Sequence, residues 1–494
     1  MSRLSRAGHF GARMRSPQVA QLPTTAKSMF RAAVAAWAAL ALAACAQTNP
    51  GKPPPAVGQP FAGFYYPTWV AYVPDADGGA GFVYVVSSDF DLRFNRGTLA
   101  SMSADIVLDD GGPLPSAANA PASPAVIGNV FAPLAQQVNI DIYGGPVALA
   151  HLPGTAPNAR RLFVAGRQAN ALNAVDVNGP NLTCAPNANV DAGSAAADDC
   201  SALATPLGTP IIDAYRPLVV GNEVYVGALT PLDDPRGSDL ELVASLARVQ
   251  ADTMGNVQLF AMGPADTPLG SEAIGALEEF QGLILVGSRP ISGANTVFTS
   301  VPLRVVPEDQ FETDAGSTQV DLSTQLNVQD IRSMVLASDR TRLYVTTRNP
   351  DALVVLDVTP DLSGSPRFEV IGATLMPSGA SEIALIPRGP GRRDLVAVSC
   401  ETTNVVAIYD DEIGRVVTEL RGVGEQPFGL AVGPVPHGGR GVRLYTAAFG
   451  RGDLAVTEIP DLDNPASAAV LATVGPNENC LNDTVDARPP ECPQ

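Results

Sequence analysis

The sequence predicts an all-β fold, a seven-bladed β-propeller of four-stranded antiparallel blades. Three observations predict it. First, an apolar, β-prone run ending in a small residue recurs seven times, opening at Val83, Leu162, Val224, Leu283, Leu343, Val396 and Leu444. The successive spacings are 79, 62, 59, 60, 53 and 48 residues, the period of a blade and not of a single strand. Second, Leu162, Leu343, Val396 and Leu444 are each followed fourteen residues later by an acid: Asp176, Asp357, Asp410 and Glu458. The residues between run strand, polar loop, strand, which is an antiparallel hairpin. Third, further strand-like runs flank the hairpins. Pro427-Phe428-Gly429-Leu430-Ala431-Val432 leads the last one, and Ala469-Val470-Leu471-Ala472-Thr473-Val474 follows it.

Runs such as Leu353-Val354-Val355-Leu356 lack alternation, so they are buried on both faces and each blade needs a neighbour on each side. An open stack would need polar capping repeats at its ends. Here the first and last copies are as apolar as the middle ones, so the repeats are expected to close into a ring.

The units resemble the YVTN-type β-propeller repeat, which includes lactonase-like proteins. Arg342-Leu343-Tyr344-Val345-Thr346-Thr347-Arg348-Asn349 followed by Val354-Val355-Leu356-Asp357 is the nearest copy, and Gly424-Glu425-Gln426-Pro427-Phe428-Gly429 is similar to the family's lead-in strand. The likeness covers residues 330–475 and 145–177; over 209–305 only the spacing supports it. It implies a bacterial, extracytoplasmic binding or surface scaffold. Some relatives with this fold are lactonases.

The amino terminus reads as a lipoprotein signal over residues 1–44. Lys27 and Arg31 precede a thirteen-residue apolar run at 32–44, which ends Leu42-Ala43-Ala44-Cys45. A cysteine after Leu-Ala-Ala resembles the bacterial lipobox, with Cys45 as the lipidated (palmitate-bearing) first residue. The run is too short to span a bilayer. Ala46 follows in place of the aspartate that retains such proteins at the inner membrane. The expected location is therefore the outer membrane, facing the periplasm or the cell surface. Residues 45–60 hold five prolines with Gly51 and Gly58, an extended tether reaching on the order of 40 Å. The propeller is assigned to 61–475 and a C-terminal tail to 476–494. The excursions at 109–139 and 180–208 read as loops.

In an exported chain, Cys184 with Cys200 and Cys480 with Cys492 are expected to close two local disulfides. Cys400 ends an apolar strand and reads as a buried free thiol.

The formal charge is −19. Residues 1–44 carry six cations and no acid, so the remainder stands at −25 (−19 − 6). That balance argues against nucleic acid and against electrostatic binding to anionic lipid. The expected membrane contact is through the lipid anchor alone, beside a protein or small-molecule partner.

The chain lacks a His-Glu-x-x-His zinc motif, a haem-attachment Cys-x-x-Cys-His, a Gly-x-Ser-x-Gly elbow and a phosphate loop. His151 and His437 lie at turn-rich sequences and read as surface residues. Acidic pairs such as Asp75-Ala76-Asp77-Gly78 lack the closing Glu of a calcium loop and read as turn formers. No cofactor is expected, and calcium at one acidic turn is the alternative.

Aligning the blades collects one further set. The loops between second and third strands hold Arg167, Arg289, Arg348 and Arg451, with Asp89, Asp91, Glu401 and Asn404 in other blades. Guanidinium groups converging at a channel mouth can hold a carboxylate or phosphate through paired N–H donors. The competing reading pairs them with acids across blades. No catalytic residue is assigned. The reading that leads is a binding or assembly scaffold. The alternative is a lactonase-like hydrolase acting in the channel through Glu401, Asn404 and Asp89.

Overall fold

A computed structural model describes residues 53–475, except 58–62, 76, 91–93, 128–133, 152–158, 188–196, 209–210, 234–239, 262–271, 291–302, 309–317 and 323–327. Cys45, Asp91, Cys480, Cys492, the signal and the tail lie outside the described residues, as does most of the tether. Among the described residues no helix is long and apolar enough to cross a membrane.

Seven antiparallel sheets follow one another along the chain. Their innermost strands are Pro67–Val73, Gly144–Ala150, Pro217–Val220, Glu272–Phe280, Asp330–Leu336, Ala380–Ile386 and Pro427–Pro434. Each of these contacts its counterpart in the next blade, and the last contacts the first, so the sheets form a closed ring around an axis. In such a blade the connections between second and third strands, and those leading to the next blade, emerge on one face. That face is called the mouth face below. Seven buried clusters of apolar side chains fill the ring, one between each pair of neighbouring blades.

The recurring sequence run is the second strand of each blade, and its residues have separate tasks. Tyr84, Tyr225, Tyr344 and Tyr445 occupy one position and are fully buried between blades. The Tyr84 hydroxyl donates to the Gly179 carbonyl of the next blade at 2.6 Å. Arginines that open or precede the same runs tie blades together. Arg161 holds Asp176 through two N–H donors (2.6 and 2.8 Å) and donates to the Ala251 carbonyl of the next blade at 2.8 Å. Arg342 reaches Asp411 and Arg443 reaches the Ala104 carbonyl in the same way. Arg161, Arg342 and Arg443 sit directly across the hairpin from Asp176, Asp357 and Glu458, which accounts for the regular spacing of the acids. The glycine of the lead-in strand has a packing reason. A Cβ on Gly429 would lie 2.5 Å from the Trp69 Cα of the adjoining innermost strand.

The two presumed loop excursions contain strands. Within 109–139, Leu134–Ile140 is the outermost strand of blade 1. Its polar alternation, Ala-Gln-Gln-Val-Asn, suits a half-exposed edge and hides the strand in the sequence. Ala125–Ile127 leaves blade 1 altogether and pairs in parallel with Ala469–Val474, the outer strand of blade 7. Nearby, Ala117 N–H donates to Glu458 of blade 7 at 3.0 Å, and Ile127 is buried in the cluster between blades 7 and 1. This segment clasps the first blade to the last. Within 180–208, Asn181–Cys184 and Thr205–Pro206 share the outer edge of blade 2. The Cys184–Cys200 disulfide closes the chain between them. Cys400 is buried and free, and burial pushes its thiol up to about 12.

Candidate functional site at the channel mouth

One side chain reaches across the axis. Arg216 immediately precedes the innermost strand of blade 3 and is buried. Its Nη2 lies 2.5 and 2.6 Å from the two carboxylate oxygens of Glu382, on the innermost strand of blade 6. Nε donates to the Gly275 carbonyl of blade 4 at 3.0 Å, and Nη2 also donates to the Arg332 carbonyl of blade 5 at 3.2 Å. The guanidinium carbon sits 5.2 Å from the centre of the Trp69 ring in blade 1. Burial works against the charge of Arg216, but Glu382 offsets it and the side chain holds its proton more tightly than usual. Five blades thus converge on one guanidinium.

On the mouth face, further arginines gather around the axis. Arg167 and Arg289 share the carboxylate of Asp213, Arg167 through Nε at 2.5 Å and Arg289 through Nη2 at 3.3 Å. Both guanidinium groups also lie over the Tyr215 ring, at 5.6 and 5.0 Å. Arg332 pairs with buried Asp330 at 2.6 Å, and Arg348 pairs with Glu401 of the next blade. Burial lowers the proton affinity of Arg289, Asp213 opposes this, and the nearby cations Arg167 and Arg332 add to it. Burial and Arg332 do the same to Arg348. Arg289 Nε is shielded from water and has no hydrogen-bond partner among the described residues.

Beside this crown lies an aromatic cluster. Phe90, in the second-to-third-strand loop of blade 1, packs 5.4 Å from Phe449 of blade 7 and 5.5 Å from Tyr143, which leads into blade 2. Tyr66 packs 5.2 Å from Phe449. Phe90 is 57% exposed. Tyr215 also approaches the lead-in of blade 2: a Cβ on Gly145, two residues from Tyr143, would lie 3.5 Å from its ring.

The residues proposed from sequence divide accordingly. Arg167, Arg289 and Arg348 come together, although Arg289 and Arg348 stand on strands and not on loops. Arg451 pairs with Asp453, 3.4 Å away in its own blade. Asp89 accepts the Phe94 N–H at 2.9 Å, which shapes the loop that carries Phe90. Asn404 accepts the Gln426 N–H at 2.8 Å and ties blade 6 to blade 7. Asp89, Glu401 and Asn404 therefore each have a partner of their own. Among the described residues no three His, Cys, Asp or Glu side chains gather as metal ligands. Asp75 accepts the Asp77 N–H at 3.3 Å, as a turn former does. Sequence reasoning did not find Asp213, Tyr215, Arg216, Arg332 or Glu382. These lie on interblade connections and innermost strands, which the hairpin alignment does not register.

Seven four-stranded units closed into a ring define a seven-bladed β-propeller. No protein-family model matches the chain, and no curated protein matches it by sequence. Among solved structures it is similar to the β-propeller domain of Cps50 (Swd1) from Myceliophteria thermophila, at 12% identity and a TM-score of 0.45, over 82% of this chain and 99% of that one. It is also similar to apo AztD from Citrobacter koseri, at 11% identity and a TM-score of 0.36, over 84% of this chain and 94% of that one.

Proposed function

We propose that this chain is a binding or assembly scaffold of the outer membrane, anchored through a lipid on Cys45, with a YVTN-type propeller that receives a protein partner on its mouth face. One observation carries the reading. A partly exposed aromatic cluster and a crown of arginines share one face of the ring, around the axial Arg216–Glu382 pair. Aromatic and arginine side chains are the groups that dominate protein interfaces. The lipobox-like sequence and the disulfide agree with an exported location.

The test is crosslinking and capture from cell envelopes with the full chain and its Phe90→Asp variant. A partner retained by the parent and lost with Phe90→Asp supports the reading. Identical capture by both places the interface elsewhere and overturns it.

A further inference from the structure

The two halves of the mouth face specify the chemistry of what covers them, provided the scaffold reading above holds. Phe90, Phe449 and Tyr143 offer an apolar platform on blades 7, 1 and 2. Arg289, Arg332 and Arg348 stand on blades 4 and 5, across the axis. A surface reaching across the ring is broader than a small molecule covers and suits an extended chain. We propose that the mouth face binds a protein segment in which carboxylates flank an aromatic side chain, the carboxylates on Arg289, Arg332 and Arg348 and the ring on Phe90, Phe449 and Tyr143.

Charge supports this choice. The chain as a whole carries −19, so an acidic segment is repelled by most of its surface. At the mouth four arginines, Arg167, Arg289, Arg332 and Arg348, pair with three carboxylates, Asp213, Asp330 and Glu401. Arg167 and Arg289 have a single carboxylate, that of Asp213, between them. An added carboxylate relieves the mutual repulsion of these cations. A basic segment gains nothing comparable there. The aromatic ring of the segment meets Phe90 and Phe449 edge to face, the arrangement these two adopt with each other.

The experiment measures fluorescence anisotropy of labelled synthetic peptides with the full chain. An alternating Glu–Phe peptide is compared with Lys–Phe and Glu–Ala peptides and with free N-acetylphenylalanine. The Glu–Phe peptide is expected to bind at least tenfold more tightly than all three, and to weaken as salt rises. Phe90→Ala and Arg332→Gln are each expected to weaken it by about tenfold, the effect of one lost charge-assisted or aromatic contact. Arg167→Gln, at a side chain 41% exposed, serves as a second charge variant should Arg332→Gln fail to fold. Equal binding of the Lys–Phe peptide, or indifference to both charge variants, overturns the acidic segment while leaving the scaffold intact, since envelope capture still depends on Phe90. N-acetylphenylalanine matching the peptide overturns the segment in favour of a small aromatic acid. Absence of peptide binding overturns the inference, and absence of Phe90-dependent capture as well overturns the scaffold too.

Discussion

Arg216 and Glu382 are 166 residues apart in the chain and form one buried ion pair across the propeller axis. Removing one partner leaves the other buried and uncompensated, which costs about 3–5 kcal/mol, whereas replacing both by apolar residues of similar size is far milder. Arg216→Ala is therefore expected to lower the denaturation midpoint sharply. Arg216→Met with Glu382→Leu is expected to recover most of the loss. A single variant as stable as the parent contradicts the axial role.

Asp453 opens the third strand of blade 7 and is 5% exposed. Burial pushes its carboxyl up to about 6, with Arg451 pulling the other way. Burial does the same to Asp141, also to about 6, against a hydrogen bond from Asn173. A carboxyl that binds its proton more tightly when folded contributes stability below the unfolded value near 4. That contribution is lost as pH rises from about 4 through about 6. Asp453→Asn is expected to flatten this fall when stability is followed by denaturant titration across the window. An unchanged slope removes Asp453 as its source.

The Cys184–Cys200 bond closes a loop at the outer edge of blade 2, with a sequence separation of 16. The loop-entropy model gives such a bond about 3 kcal/mol. Reductant, or replacement of both cysteines by serine, should lower Tm. Hydrogen exchange should rise most at Asn181–Cys184 and Thr205–Pro206. Cys400, buried elsewhere, should remain unlabelled by alkylating reagents in the native protein.

Ile127 is the buried end of the clasp between blades 1 and 7. Ile127→Ala should cost about 2–5 kcal/mol by opening a cavity in that cluster. The loss should appear as faster hydrogen exchange in Ala469–Val474 and in blade 1, with blades 3 and 4 little changed. A uniform increase around the ring would mean that the clasp has no local role.

Cys45→Ser is expected to move the protein from the membrane fraction to the soluble fraction of the envelope. Retention in the membrane would remove the lipid anchor from the proposal.

The fold was legible in the sequence because each blade repeats one physical solution. A hairpin buried on both faces must be apolar and must turn at polar residues, and in three blades it places an arginine opposite an acid, as Arg161 and Asp176 do. Such demands fall within some fifteen residues and leave a periodic trace. Of the strands that escaped notice, Leu134–Ile140 lies at an outer edge, where half-exposure permits polar residues, and Ala125–Ile127 is only three residues long. The mouth was legible only in part. Arg167, Arg289 and Arg348 follow the hairpin register and could be aligned. Arg216 and Glu382 meet because the ring closes, and nothing local marks residues whose partners lie half a circle away. Asp213 meets Arg167 and Arg289 of the neighbouring blades from a connection that the hairpin alignment does not register. The aromatic cluster has one local sign, the density of polar and aromatic residues in Asp89-Phe90-Asp91-Leu92-Arg93-Phe94-Asn95-Arg96.

The clasp also bears on how the protein comes into being. A chain leaves the ribosome beginning with its first residue, so Ala125–Ile127 appears long before Ala469–Val474, the strand it needs. Until then its edge is unpaired, and the cluster around Ile127 lacks one wall. The nascent first blade must wait for the final one. A chain halted a few dozen residues early keeps six blades' worth of sequence but has neither the last wall nor the latch. Such a product is expected to be degraded rather than to persist as a shorter ring.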